Sequence, residues 1–295
     1  MREAALKTEG LLKNYGRVRA LRGLNLEVPA GAVYGLLGVN GAGKTTTLGI
    51  LAGFLRPSGG EFLVRGRLGC LPQDARLTPN RRIFPQLAFL ARLSGIASRS
   101  CPGEVLRCLA AVGLEEVARR KPRQLSHGQR RRLSLAQALL GDPEILLLDE
   151  PTAGLDPGQA AKIKRLIFRL AGARTVVFSS HRLAEVEELC EMVGVVHEGR
   201  MLYQGSTSGL RGAGNLVRYR LSAPGRGGLL RSLPGVRGVR HPPGSAWVSV
   251  EFDSEEIVLE ELNRQVLTLL HSAGVGIREI AVGGSLEEGF LELLS

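Results

Sequence analysis

"GVNGAGKTTTLGI", residues 38–50, sets three glycines and a lysine ahead of three threonines and a short apolar run. Glycine loses more backbone freedom on ordering than any other residue, so this density of it needs a reason. The stretch fits the pattern G-x-x-x-x-G-K-[ST] at Gly38, Gly43, Lys44 and Thr45. A β-rich run, "AVYGLLG" (32–38), leads into it, and a helical stretch from Thr45 to about Phe54 follows. In that setting the backbone of Gly38, Val39, Asn40, Gly41, Ala42 and Gly43 can turn its N–H groups inward around a phosphate. The helix N-terminus at Lys44, Thr45 and Thr46 adds its partial positive charge. Lys44 would reach the β- and γ-phosphates of a nucleotide, and the Thr45 hydroxyl would ligate Mg²⁺.

A second stretch supplies the complement. "EILLLDEP" (144–151) is a continuous apolar run ending in two acids, the profile of a strand buried on both faces. Asp149 would sit at the strand's C-terminal end, within reach of the Mg²⁺ shell. Glu150 beside it could polarise a water for attack on the γ-phosphate. "RTVVFSSH" (174–181) is another buried-strand profile, and strands alternating with helices predict an α/β protein with a mostly parallel central sheet.

Outward from these motifs, "YGRVRALRGLNLEV" alternates and then turns at Pro29-Ala30-Gly31 before "AVYGLLG", which reads as an antiparallel hairpin leading into a buried strand. "GGEFLVRGRLGCLPQ" (59–73) offers two more short strands. Residues 80–142 carry helical spacing, for example Leu87, Leu90, Ala91 and Leu93. "RRIFPQLAFLARLSGI" (81–96) is apolar enough to line a groove for a partner's helix, or else simply to pack within the domain. After about Ser206 the composition changes. "GSTSGLRGAGN" (205–215) reads as a linker, with 206–215 taken as its extent. Beyond it the order is strand (216–221), helix (226–233), strand (236–240), strand (246–252), helix (255–273) and strand (277–282). That is a βαββαβ sequence, the split-βαβ arrangement of a small α+β domain over 216–295.

The chain has 295 residues, enough for one large core or two modest ones. No window approaches eighteen apolar residues in a row, and "MREAALKTEG" is charged where a signal peptide would be apolar. The expectation is a chain that stays in the cytosol unless a partner holds it elsewhere. Cys70, Cys101, Cys108 and Cys190 are scattered with no CxxC pair, which favours buried reduced thiols over a metal site. Only 4% of residues are aromatic, which argues against a surface built to stack bases. A net charge of +11, with clusters at 119–123 and 130–132, leaves two readings open: a polyanionic neighbour, or arginine-rich solvated helix faces.

"QLSHGQRRRLSLAQALLGDP" (124–143) lies between the two halves of the nucleotide site. Its "LSHGQ" resembles the signature of ATP-binding cassette (ABC) ATPases. The phosphate loop, "LPQD", "LLLDEP", "AGLD" and "SSH" follow in that family's order over roughly residues 5–205. The resemblance implies a P-loop cassette over 1–205, with a parallel core, a small antiparallel β subdomain and a helical subdomain at about 80–142. It implies ATP and Mg²⁺ as ligands. Tyr15 matches the aromatic that stacks on adenine, and Gln73 matches the glutamine that senses Mg²⁺ and the attacking water for a transmembrane partner. Ser126, Gly128 and Gln129 match the signature that meets ATP held by another subunit. Asp156 matches the loop crossing the dimer seam, and His181 matches the histidine on the γ-phosphate.

Two departures stand out. His127 occupies a position usually held by glycine, and only twelve steps separate Glu61 from Gln73, which implies a trimmed antiparallel sheet. One chain carries one phosphate loop and one signature, and in the family these face different nucleotides, so the resemblance implies a two-fold dimer. It also implies a separate membrane permease, which would hold the chain at the cytoplasmic face of the membrane. The tail "SLEEGFLELLS" (285–295) is similar to endings of drug, antibiotic and sodium exporter ATPases, which favours export. The rival is a non-transport ABC ATPase acting on nucleic acid or ribosomes. Against it, the chain has neither a second cassette nor a coiled-coil or zinc insertion. A regulatory small-molecule role for 216–282 could coexist with transport; a plain docking or stabilising surface is its alternative.

Overall fold

Runs of Val, Ile and Leu become central strands because helices cover both faces of a parallel sheet, leaving no polar side. The computed structural model describes residues 3–73, 77–171, 173–211, 215–222, 227–242, 244–283 and 286–294. Asp74 of "LPQD", residues 212–214 of the expected linker, and both end residues of the 285–295 tail lie outside them. The chain divides into two compact units, Met1–Gly205 and Ser206–Ser295.

The first unit begins with β1 (Ala4–Tyr15), β2 (Val18–Pro29) and β3 (Val33–Leu37), then α1 (Lys44–Leu51), β4 (Gly59–Val64) and β5 (Leu68–Leu71). Three helices follow: α2 (Ile83–Leu93), α3 (Cys101–Ala111) and α4 (His127–Ala138). The unit closes with β6 (Ile145–Leu148), α5 (Pro157–Ala171), β7 (Thr175–Ser180), α6 (Leu183–Leu189), β8 (Met192–His197) and β9 (Arg200–Ser206). Strands β5, β6, β7, β3 and β8 pair in parallel in that order, with β9 at the edge beside β8. All of β6 and β7 is buried, as their unbroken apolar sequence requires.

A separate three-stranded antiparallel sheet has the order β2-β1-β4. Of the two short strands expected in 59–73, only β4 joins it; β5 pairs with β6 in the parallel sheet. The two sheets share one core, in which Leu6, Leu11 and Leu26 meet Leu36, Leu147 and Val177. In α2 the buried positions are Ile83, Leu87 and Ala91, on the side packed against α3, so the helical stripe at Leu87 belongs to the core. Phe89 and Leu93 stay exposed on the other side. None of the four cysteines forms a disulfide. Burial pushes the Cys70 and Cys108 thiols up to about 12, which leaves them as unreactive packing groups at neutral pH.

The second unit holds α7 (Thr207–Leu210), β10 (Leu216–Leu221), β11 (Val236–Arg240), β12 (Trp247–Phe252), α8 (Leu259–Ser272), β13 (Ile277–Val282) and α9 (Leu286–Leu294). Its four strands pair antiparallel in the order β11-β12-β10-β13, the sheet of a split βαβ unit. The first crossover is a 3₁₀ turn, Gly227–Ser232, where the sequence predicts an α-helix over 226–233. Paired glycines at 227–228 and Pro234 leave too few good helix formers for a full α-helix. Leu262, Val266 and Leu270 of α8 pack against Val217, Tyr219, Val248 and Val250 of the sheet. Thr207–Leu210, inside the stretch read as linker, forms one helical turn capped by the Ser206 hydroxyl.

Candidate functional site

The loop between β3 and α1 owes its shape to its glycines. Gly41 and Gly43 sit at φ +82° and +112°, and a Cβ on Gly43 would lie 2.8 Å from Leu21 and 3.0 Å from the Ala20 carbonyl. The Ala42 carbonyl accepts from Gly199 N, so the loop rests on the tight turn between β8 and β9. Helix α1 has no acid in its first turn and no side-chain cap at Gly43. Its leading N–H groups have no acceptor within the helix, and they suit an anion. The Lys44 ammonium is 5% exposed and donates to the carbonyls of Gly38 (2.7 Å) and Val39 (3.0 Å), which bends it back over the loop. Burial holds its pKa below the ordinary lysine value, opposed by the charges of Glu150 and Asp149. A bound polyphosphate would supply the countercharge that carbonyls cannot.

At the end of β6, Asp149 is buried and its Oδ1 accepts from the Ser179 hydroxyl at 2.6 Å. The same Ser179 Oγ accepts from Glu150 N at 2.8 Å. Glu150 takes φ +44°, unusual for a residue with a Cβ, and this clamp from β7 holds it there. Its carboxylate, 13% exposed, has Oε1 at 3.1 Å from His181 Nδ1 and 4.0 Å from Lys44 Nζ. The sequence-chosen Lys44, Asp149, Glu150 and His181 therefore converge at the C-terminal ends of β3, β6 and β7. Thr45 is exposed and Thr46 half-buried on the first turn of α1, on the same edge.

The donor set suits a small hard cation. Asp149 offers carboxylate oxygen and Thr45 a hydroxyl, while no cluster of three His, Cys, Asp or Glu side chains occurs among the described residues. A cation taking most of its ligands from phosphate and water needs no denser cage, which is the Mg²⁺ habit.

The remaining sequence candidates lie apart from that cluster within the first unit. Tyr15 is 47% exposed at the end of β1, with Lys13 Nζ 5.1 Å from its ring centre. Ser126 and Gln129 cap α4 reciprocally: Ser126 Oγ accepts from Gln129 N, and Gln129 Oε1 accepts from Ser126 N. Gly128 is buried against α5, where a Cβ would come within 2.3 Å of Gln159 Oε1. Asp156 caps α5 by accepting from Gln159 N at 2.9 Å. His127 is exposed. The side chain of Gln73 is exposed too, and it is the Gln73 backbone that is fastened.

What fastens it is a residue the sequence reading passed over. Arg131 is buried and spreads its guanidinium across four carbonyls: Nε to Pro151, Nη1 to Gln73, and Nη2 to Asp149 and Glu150. It thereby ties the signature helix to the loop after β5 and to both acids. Arg132 beside it donates to Val112 and Gly113 carbonyls, so of the 130–132 cluster only Arg130 stands exposed. Glu185 is likewise buried, accepting from Thr152, Ser180 and Arg182, and locks the loop after β6 to the end of β7. Lysine at position 131 cannot fork to four carbonyls. Arg131→Lys is expected to cost about 3 kcal/mol of unfolding free energy in a urea titration, since buried acceptors lose charged donors. An unchanged midpoint would mean the guanidinium is not the tie described.

Comparison with known proteins supplies the family. A family model described as ABC transporter matches residues 21–153. Nod factor export ATP-binding protein I of Paraburkholderia xenovorans (strain LB400) is 37% identical over 223 residues, covering 71% of this chain and 73% of that one. The chain belongs to the ABC transporter ATP-binding proteins. Across both units, the daunorubicin resistance ATP-binding protein DrrA3 of Streptomyces coeruleorubidus is 33% identical over 309 residues, covering 99% of this chain and 96% of its own. A bacterial ABC transporter cassette solved as a dimer superimposes with a TM-score of 0.62 at 26% identity, over 68% of this chain and 98% of that one. This ABC cassette is thus an ATPase by family. No helix among its described residues is long and apolar enough to cross a membrane.

Proposed function

We propose that this chain is the ATP-hydrolysing subunit of an exporter, acting as one half of a two-fold cassette dimer on a separate membrane permease. The observation that carries the reading is the convergence of Lys44, Glu150 and His181 within 4.0 Å steps at the rim of the phosphate loop. Lys44 and the α1 N-terminus hold the β- and γ-phosphates. Glu150 accepts the proton of the attacking water at its carboxylate, and His181, touching Oε1, orients that carboxylate and faces the γ-phosphate. Mg²⁺, when bound, neutralises developing charge on the phosphate oxygens; Asp149 and Thr45 would hold it, with Gln73 at the shell's edge. Tyr15 packs on adenine. Ser126, Gly128 and Gln129 present the capped end of α4 to the partner's nucleotide, and Asp156 lies at the seam.

Export is supported by the relatives, whose names place them in Nod factor export and daunorubicin resistance, the latter over both units. A hollow of about 440 Å³ bordered by Leu77, Arg81, Phe89 and Leu90 supports a docking groove for a permease segment. Its apolar lining includes the exposed Phe89, with Leu77 and Leu90, and not the buried Leu87. A nucleic-acid role loses part of its support, because Arg131 and Arg132 turn inward onto carbonyls, while Arg119, Arg120, Arg123 and Arg130 stay exposed.

One experiment tests the whole reading. Tagged Ser126→Arg chain is purified from solubilised membranes beside the unaltered chain. Both should bring down an integral membrane subunit and bind nucleotide, while the variant hydrolyses none, because the bulk of a charged arginine at the seam blocks the place of the partner's γ-phosphate. Loss of the α4 cap should cost only about 1 kcal/mol of stability. Normal hydrolysis would refute the composite site, and absence of any integral subunit would refute the permease.

A further inference from the structure

One sizeable hollow among the described residues lies apart from the nucleotide site. It measures about 590 Å³ and opens between the end of α3, Arg132 of α4, the outer face of α5 and the end of α6. That volume falls in the range of about 300–1,000 Å³ usual for small-molecule sites. Its chemistry is one-sided: Arg132, Lys162, Lys164, Arg165 and Arg169 line it against a single acid, Glu188. Glu188 is taken up by Lys164. Lys162, Arg165 and Arg169 lie three and four residues apart on one exposed side of α5, and among the described residues no acid pairs with any of them. The Arg132 guanidinium is anchored by the Val112 and Gly113 carbonyls, and its Nε is buried without an acceptor.

Between these cations Phe168 presents a ring that is 70% exposed, over a floor that includes the buried Leu166. Amphipathic packing does not call for it. The buried stripe of α5 is Ala160, Ile163, Leu166, Ile167 and Leu170, and Phe168 stands outside that stripe. An exposed flat ring amid four or five positive groups is the pairing that takes an anion carrying a flat body: guanidinium and ammonium groups for the phosphates, a ring face for the base.

We infer that this hollow is a second nucleotide site, for a nucleoside polyphosphate, separate from the phosphate loop. Its walls suit it to regulation. Helix α5 begins directly after Asp156, α6 begins two residues after His181, and Arg132 neighbours the Arg131 that grips the carbonyls of Asp149 and Glu150. A ligand bridging α3, α4, α5 and α6 therefore fixes the relative positions of elements that carry the hydrolytic groups.

The test is calorimetric titration of the full chain with GTP, with ATP and with pyrophosphate. The unaltered chain should take up two equivalents of nucleoside triphosphate. Lys44→Ala should lose one and keep the other. Adding Arg165→Glu and Arg169→Glu to it should weaken the remaining equivalent at least tenfold, and Phe168→Ala should weaken GTP and ATP but leave pyrophosphate unchanged. Both arginines are exposed, and an unchanged melting curve shows that the charge reversal has not unfolded the chain. A Lys44→Ala chain that binds nothing overturns the second site, as does residual binding indifferent to Arg165 and Arg169. If instead Lys44→Ala keeps both equivalents, the phosphate-loop reading fails while the arginine variants still report on this hollow.

Discussion

Glu150→Gln is expected to keep MgATP binding and to lower hydrolysis on the order of 10²–10⁴-fold, the usual contribution of a positioned general base. The substitution is isosteric, and the features that hold position 150 remain. Ser179 Oγ still accepts from its backbone N–H, and an amide oxygen can still meet His181 Nδ1. What disappears is the ability to take a proton from water, along with one negative charge 4.0 Å from Lys44 Nζ. Removing that charge beside triphosphate also relieves repulsion at the proposed seam, so the ATP-bound dimer should persist. In size-exclusion chromatography with MgATP the variant should elute as a dimer while the unaltered chain returns to monomer. A monomeric variant, or one that turns over at the unaltered rate, would remove Glu150 from the role of base.

The parts legible in the sequence are those whose chemistry is local. The phosphate loop needs its glycines, its lysine and its following helix within a few positions, so Gly38 to Thr46 can be read without a fold. The same holds for β6 and β7, whose apolar runs permit no exposed face. The supporting groups were illegible for the opposite reason. Arg131 acts on backbone carbonyls of residues 73, 149, 150 and 151, and carbonyls leave no mark in a sequence. It could be recognised only as one of three arginines in a row. A hint was available in the helical stripe: position 131 falls on the same side of α4 as the buried Leu135 and Ala138, where a solvated charge does not belong. Ser179 and Glu185 look like ordinary strand-end and helix residues until β7 is laid beside β6.

Strand pairing set the other limit. "GGEFLVRGRLGCL" reads as two short strands, but nothing in it says that β4 pairs with β1 while β5 pairs with β6. Gly69 decides the second case: a Cβ there would lie 2.0 Å from the Ala138 carbonyl, so this strand must pass directly under the end of α4. In the C-terminal unit alternation in "RYRL" and "WVSVEF" marks two of the four strands, whereas the first helix contracts to a 3₁₀ turn over a segment opened by two glycines, of which Gly227 lies against Val248 with no room for a side chain.

Lys44→Ala is expected to weaken MgATP binding at least about a hundredfold, since it removes a charge buried against the site of the β- and γ-phosphates. The structure separates this from a folding defect. Lys44 is almost wholly buried, its ammonium is met by two neutral carbonyls, and burial already works against its charged form. Deleting it takes away a desolvated charge, so the nucleotide-free variant should melt close to the unaltered chain. The nucleotide-dependent gain is what should vanish. At a ligand concentration about one hundred times Kd, binding stabilises the unaltered chain by about 2.7 kcal/mol; a hundredfold weaker Kd leaves about 0.4 kcal/mol at the same concentration. Melting curves with and without MgATP should therefore part clearly for the unaltered chain and nearly coincide for Lys44→Ala. If the variant's curve still moves as far as that of the unaltered chain, the ammonium does not hold the phosphates. If it melts far lower without nucleotide, the two carbonyl contacts matter more to the loop than the buried charge costs it.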